Sequence, residues 1–124
     1  MSAIGHKVWA IAEGYIPPSS TGATRELISH ETVCILNASE AAAQIEITVY
    51  FSDRVPVGPY RFTVEGQRTR HLRFNDFSDP APVPRGTDFA TVIVSDLPIV
   101  VQHTRLDTRQ PALALMSTVA FPAG

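Results

Sequence analysis

A two-residue alternation of apolar and polar side chains is the feature that most constrains how this chain folds. It is clearest from Gln44 to Phe51 (QIEITVYF), where the odd-numbered positions are apolar and the even-numbered ones polar or amphipathic. Successive side chains of a strand point to opposite faces, so this spacing is typical of a half-buried strand. No stretch of ten or more residues has the apolar spacing of a helix. We therefore expect an all-β fold.

Seven further segments have the composition of short strands. They are Val8–Glu13, Ile28–Asn37, Tyr60–Glu65, Gln67–Phe74, Asp88–Ser95, Ile99–Arg105 and Ala114–Phe121. The sequence Glu65-Gly66-Gln67 is typical of a tight hairpin, and Ser95-Asp96-Leu97-Pro98 of a β-turn that the proline ends. About eight short strands predict one antiparallel β-sandwich domain over residues 1–124, with a jelly-roll-like arrangement.

The composition narrows the class of protein. Apolar residues make up 44% of the 124 residues, charged residues make up 18%, and the formal net charge is −2. These values are typical of a soluble globular protein and argue against a general nucleic-acid binder, which needs a basic stripe. We find no apolar run long enough to cross a bilayer, no signal-peptide pattern and a single cysteine, Cys34. We expect a cytoplasmic protein.

Several of the predicted strands run into ionisable residues at one end. Ile99 and Val101 share a face of their strand, and His103 and Arg105 continue that face. In the segment that begins at Ile28, His30 precedes Cys34 at the same parity. Burying imidazole and guanidinium groups without partners is costly, so these groups either neutralise one another or line a pocket.

If the strands that carry them meet at one rim of the sandwich, these residues form a polar site there. The candidate ligand-binding residues are Trp9, Glu13, His30, Glu31, His103, Arg105 and Asp107. In the binding interpretation, the Trp9 ring stacks on a ligand and the charged groups form hydrogen bonds with it. In the structural interpretation, Arg105 pairs with Asp107 and His30 caps a loop. The residues alone leave both interpretations open.

We expect neither a metal nor a cofactor at this site. His30, His103 and one glutamate could supply a two-histidine, one-carboxylate set, but no H-x-H or H-E-x-x-H spacing is present. Cys34 lies within an apolar strand and is expected to act as a small hydrophobic residue. No nucleophile or phosphate-binding motif is present, so no catalytic residue is predicted.

A second group of charged residues is basic. Arg61, Arg68, Arg70 and Arg73 fall on one predicted hairpin together with His71. The pattern fits either a solvated hairpin face or a partner-binding surface for an acidic protein or nucleic acid.

The last predicted strand is apolar on both faces. From Pro111 to Phe121 (PALALMSTVAF), one parity carries Leu113, Leu115 and Val119, and the other carries Met116. Such a strand is either covered by another subunit or buried within its own fold.

Five segments resemble the sensory rhodopsin transducer family, in order and over almost the whole chain. They are WAIAEGYIPP (9–18), ISHETVCILN (28–37), EITVYFSD with PVGPYR (46–53, 56–61), RHLRFNDFSDPAPVP (70–84) and PIVVQHTRLDTRQ (98–110). All seven candidate ligand-binding residues match the family pattern. The chain differs mainly at 19–25 and in its ending, 121–124.

The resemblance implies a cytosolic all-β sandwich that assembles as a homotetramer and meets the cytoplasmic face of a sensory rhodopsin. It also implies that related proteins bind small, sugar-like molecules. We therefore predict a non-enzymatic signalling adaptor, with a small-molecule binding module as the alternative. A metal-dependent enzyme of cupin-like shape is the third hypothesis.

Overall fold

The computed structural model describes residues 3–20, 24–110 and 114–124. Eight strands lie in these ranges: β1 (His6–Ile11), β2 (His30–Asn37), β3 (Ala43–Phe51), β4 (Val57–Val64), β5 (Arg68–Arg73), β6 (Phe89–Asp107), β7 (Ala114–Val119) and β8 (Phe121–Pro122). Two single-turn 3-10 helices, Arg25–Leu27 and Phe74–Asp76, are the only helices in the described residues. The predicted all-β class is confirmed.

The strands form two antiparallel layers that share β6. The first layer has the order β4-β3-β6-β1-β8, and the second has the order β5-β2-β6-β7. The N-terminal half of β6 pairs with β3 and β1, and its C-terminal half pairs with β2 and β7. Buried side chains from both layers, such as Ile47 of β3 and Val33 of β2, form one apolar core between them. The chain is thus a β-sandwich.

The β-turn predicted at Ser95–Pro98 is wrong, because the chain passes through these residues as one 19-residue strand. The pairing of β6 with β1 shifts register here, since His6 lies opposite Ile99 and Val8 lies opposite Val94. Proline lacks a backbone N–H, and an irregularity of this kind is where a strand tolerates it. Pro98 therefore marks the change of layer rather than the end of a strand.

The predicted hairpin at Glu65-Gly66-Gln67 is also wrong. A tight turn is present, but β4 pairs with β3 and β5 pairs with β2, so the turn carries the chain from one layer to the other. The backbone approach is close, because a Cβ added at Gly66 would lie 2.0 Å from the Glu40 carbonyl oxygen. Glycine is required here for that reason.

The C-terminal strand β7 lies at the edge of the second layer and pairs only with β6 among the described strands. Leu115 and Val119 are 71% and 61% exposed, so the prediction that the fold itself buries this strand is wrong. The alternative, coverage by another subunit, stays a prediction. Leu113 and residues 21–23 of the loop that differs from the family lie outside the described residues.

Candidate functional site

Four of the predicted site residues meet at one end of the sandwich: Glu13, Glu31, His103 and Arg105. Glu31 of β2 lies directly opposite Arg105 of β6 in the strand register. His103 is two residues before Arg105 and therefore on the same, inward face of β6. Glu13 follows the end of β1. The alternation that placed His103 and Arg105 on the core face is thus seen in the structure.

Glu31 is the centre of this cluster and is fully buried. His103 Nε2 donates to one carboxylate oxygen of Glu31, and Arg105 Nε donates to the other. The backbone N–H of Tyr15 also donates to Glu31 Oε1, at 3.1 Å. These donors replace the water that a carboxylate loses on burial, which keeps the charge tolerable in the core.

Arg105 connects the buried glutamate to solvent. Its Nη2 lies 2.7 Å from Glu13 Oε1, and the Glu13 side chain is 64% exposed. Burial by itself would lower the pKa of Arg105, but the hydrogen bonds to Glu13 and Glu31 outweigh it, so the pKa is raised above its ordinary value. The arginine therefore stays charged, and the cluster reaches the surface at Glu13.

One polar atom of the cluster has no partner among the described residues. His103 is 1% exposed, and its Nδ1 accepts and donates no hydrogen bond there, although Nε2 is bound to Glu31. Buried polar atoms in folded proteins nearly always have a partner. His103 Nδ1 is thus the exception within an otherwise well-paired cluster.

Asp107 lies at the same end but pairs with a different arginine. Its carboxylate is 2.6 Å from Arg109 Nη2, and this hydrogen bond lowers the pKa of Asp107. The Arg109 guanidinium in turn lies over the Tyr15 ring, 5.7 Å from its centre. The predicted pairing of Arg105 with Asp107 is therefore wrong, because the Arg105 guanidinium donates its hydrogen bonds to Glu13 and Glu31 instead.

His30 and Trp9 do not join the cluster. On β2, Glu31 and Val33 face the core, so His30 faces the other side of the layer, where its Nδ1 is 2.7 Å from the Ile28 carbonyl oxygen. β1 pairs with β6 and β8 and not with β2, so the strand that precedes Glu13 does not lie beside the strand of His30. The Trp9 indole is buried in the core and donates to the carbonyls of His6 and Ile99, so its predicted stacking on a ligand has no support from this position.

Sequence reasoning missed several polar residues that support the cluster. Asn75 Oδ1 accepts the backbone N–H of Glu31 at 3.3 Å, and its Nδ2 donates to the Ser29 carbonyl. Ser29 and Thr108 are fully buried and share a hydrogen bond of 3.0 Å between their hydroxyl groups. Ser29 and Thr108 each lie next to a predicted site residue in the sequence, and Asn75 does not. Hydroxyl and amide side chains beside a strand carry no distinctive pattern.

Two open cavities adjoin the cluster, and neither reaches its buried pair. A cavity of about 380 Å³ is lined by Glu13, Tyr50 and Asp88, and another of about 530 Å³ by Asp107, Arg109 and Gln110. A ligand would therefore meet the outer side chains rather than Glu31 or His103. Within the described ranges, no three histidine, cysteine, aspartate or glutamate side chains are grouped so that they could hold a metal ion.

The predicted basic residues lie along β4 and β5, the edge strands of the two layers on one side of the sandwich. Arg68 donates to the Gln67 carbonyl, Arg70 to the Thr63 carbonyl and Arg73 to the Arg25 carbonyl. Arg61 Nε lies 3.5 Å from Glu46 Oε1. The four residues thus lie on two edge strands that do not pair as a hairpin, and Arg73 points to the opposite face of β5 from Arg68 and Arg70.

Comparison with protein families gives one match, which spans residues 4–122: the Anabaena sensory rhodopsin transducer. The chain belongs to this family. Among solved structures, the Anabaena sensory rhodopsin transducer is 61% identical to this chain with a TM-score of 0.74, and the match covers 83% of this chain and 100% of that one. The expected family resemblance is confirmed.

A more distant member of the comparison shows the same fold. The structure described as Thermotoga maritima 1070 is 29% identical with a TM-score of 0.85, and the match covers 96% of each chain. Among curated proteins, no relative matches. The described helices include none long and apolar enough to cross a membrane.

Proposed function

We propose that this protein is a non-enzymatic signalling adaptor in the cytoplasm that relays the state of a sensory rhodopsin through protein–protein contacts. The observation that carries the proposal is the 61% identity to the Anabaena sensory rhodopsin transducer over that protein's whole length.

The test is the photocycle of a sensory rhodopsin reconstituted in lipid nanodiscs. Adding the purified protein should change the rate of a late photocycle step, with a dependence on concentration that saturates. Bovine serum albumin at the same concentration controls for crowding. An unchanged photocycle at saturating protein would overturn the proposal.

We further propose that the adaptor is a homotetramer in which β7 lies at a contact between subunits. The free edge of β7 offers unpaired backbone groups, and the exposed side chains of Leu115, Met116 and Val119 make this strand apolar. Such an edge is normally blunted by charges or covered. A second copy of the chain would cover it by pairing strand to strand.

A second candidate function is the binding of a small polar or sugar-like molecule. Its support is the position of Glu13. The Glu13 carboxylate accepts a hydrogen bond from Arg105, and the same side chain lines the open cavity with Tyr50 and Asp88. A ligand that binds there would raise the melting temperature in a thermal-shift screen of sugars and organic acids. The Glu13→Gln variant should lose that increase, and equal stabilisation of the variant would argue against this site.

A further inference from the structure

Aromatic rings hold arginine side chains at several places on the surface. Within the described ranges there are three such pairs: Arg54 over Phe51 at 5.0 Å, Arg109 over Tyr15 at 5.7 Å and Arg70 over Phe62 at 5.5 Å. A guanidinium stacked on a ring loses part of its freedom and presents its N–H groups in a fixed plane.

In two of the pairs, a neighbouring aspartate accepts hydrogen bonds from the Nε and Nη2 groups of the arginine. Arg54 donates from Nε and Nη2 to the Asp53 carboxylate, at 2.9 and 3.1 Å. Arg109 donates from the same two nitrogens to Asp107, at 3.1 and 2.6 Å. This side-on, two-bond geometry is the one that carboxylates prefer.

Arg70 has the same stacking but not the carboxylate. Its Nη1 donates to the Thr63 carbonyl oxygen at 2.8 Å, and among the described residues no acceptor pairs with its Nε or Nη2. The side chain is held from both sides, by the backbone of β4 and by the Phe62 ring. A guanidinium fixed in this way loses little further entropy when it binds an anion.

An open cavity of about 440 Å³ lies beside this guanidinium. Its lining includes Arg70, Phe62, Arg61 and Glu46. Arg61 is 72% exposed, and its 3.5 Å separation from Glu46 is longer than a hydrogen bond. Two guanidinium groups therefore face one cavity on the side of the sandwich formed by the edge strands.

We propose that Arg70, assisted by Arg61, binds the carboxylate of an acidic side chain presented by a partner protein. A single planar carboxylate matches the free side of Arg70. A nucleic acid fits less well, because Glu46 lines the same cavity and the chain carries a net charge of −2, both of which repel a row of phosphates. This inference depends on the proposed adaptor function in one respect, because that function is the reason for naming a protein as the source of the carboxylate.

The test is isothermal titration calorimetry of the full chain with a capped hexaglutamate peptide at low ionic strength. Replacing Arg70 by alanine should weaken binding about tenfold, as expected for the loss of charge-assisted hydrogen bonds. Arg70→Lys should weaken it similarly, because lysine keeps the charge but has no planar two-nitrogen side. Glu46→Gln should strengthen binding by removing the competing carboxylate.

Arg54→Ala is the matched control, because it removes a stacked arginine whose Nε group already donates to Asp53. Peptide affinity should be unchanged in this variant. No binding by the wild type, an unaffected Arg70→Ala variant, or equal weakening by Arg54→Ala would each overturn the proposal. Tighter, Arg70-dependent binding of a duplex oligonucleotide would replace it with a nucleic-acid surface. The adaptor function is tested separately by the photocycle, which requires no acidic peptide.

Discussion

Glu31 shows how one acidic residue can be buried near the start of a strand. Its side chain points into the sandwich on the same face as Val33 and has no exposed surface. The Arg105 guanidinium on the neighbouring strand is its countercharge, and His103 and the Tyr15 N–H form further hydrogen bonds to its carboxylate. Such a pair contributes little net stability when intact, but the loss of one partner is costly.

Removing Arg105 tests this balance. We expect Arg105→Ala to lower the free energy of unfolding by about 3 kcal/mol, because a buried carboxylate loses its permanent countercharge. Urea denaturation of wild type and variant measures the difference. Arg109→Ala, which removes an exposed arginine from Asp107, should leave the denaturation midpoint nearly unchanged. A loss below about 1 kcal/mol for Arg105→Ala would mean that the cluster is open to water.

His30 should make the stability depend on pH. Burial lowers its pKa from the ordinary 6.5, Arg73 and Arg25 lower it further, and the Ile28 hydrogen bond and Glu31 act in the opposite direction. Below about pH 6.5 the unfolded chain therefore takes up a proton more readily than the folded chain does. The contribution of His30 to stability is present above that pH and is lost as the pH falls.

Urea denaturation between pH 7.5 and 5.5 measures this dependence. The variant His30→Asn keeps an N–H near the Ile28 carbonyl but cannot titrate, so its stability should fall less steeply than that of the wild type. His71→Asn, at an exposed position on β5, is the control and should keep the wild-type slope. Equal slopes for wild type and His30→Asn would contradict the prediction.

Among the elements, most strands could be predicted from the alternation of apolar and polar residues. The sequence did not show for every strand which face points to the core or where the strand ends. On β2 both parities carry apolar residues: Cys34 and Leu36 on one side, Val33 and Ile35 on the other. The side with Glu31 turned out to face the core, because Arg105 and His103 lie opposite. Local sequence does not contain that information, since the partner strand is about seventy residues away.

Asn37 holds together two of the connections that cross between the layers, the one from β2 to β3 and the one from β4 to β5. Its Nδ2 donates to the carbonyls of Ala41, Val64 and Glu65 at 2.9, 3.0 and 3.3 Å, and the residue is fully buried. The sequence predicts Asn37 only as the last residue of a strand. The structure shows that it satisfies backbone groups from both crossings.

Replacing the Asn37 amide by a carboxylate should therefore lower the stability of the fold strongly. We expect Asn37→Asp to cost about 3 kcal/mol of unfolding free energy, because the carbonyl groups lose their donor and face a negative charge. Thermal and urea denaturation measure the loss. Gln44→Glu makes the same chemical change at an exposed position of β3 and should be nearly neutral. Equal effects of the two variants would mean that Asn37 does not hold the crossings.

For the whole molecule, the sequence predicts the class of architecture but not how the layers are joined. The tight turn at Gly66 is visible in the sequence, yet its role as a crossing depends on close contact with the Glu40 backbone. Likewise, the apolar character of β7 is evident from composition, while its position at an exposed edge is not.

The proposed assembly through β7 can be tested with charges. Leu115→Lys combined with Val119→Lys should dissociate the oligomer, because paired edges would bring like charges together. Light scattering coupled to size-exclusion chromatography measures the mass. Val55→Lys, at a loop position that is 79% exposed, is the control and should keep the wild-type mass. An oligomer that survives the double change would place the contact elsewhere.

The sharing of β6 by both layers makes the sandwich a single cooperative unit. Neither layer can melt alone, because its loss would strip the other of a central hydrogen-bonded neighbour. Amide protons of Ile93 and Val101, which lie in opposite halves of the strand, should accordingly exchange with deuterium at rates set by the same global opening. Neither layer can then rearrange independently of the other. If the protein transmits a signal, it does so through rigid-body contacts or through its edge strands and loops.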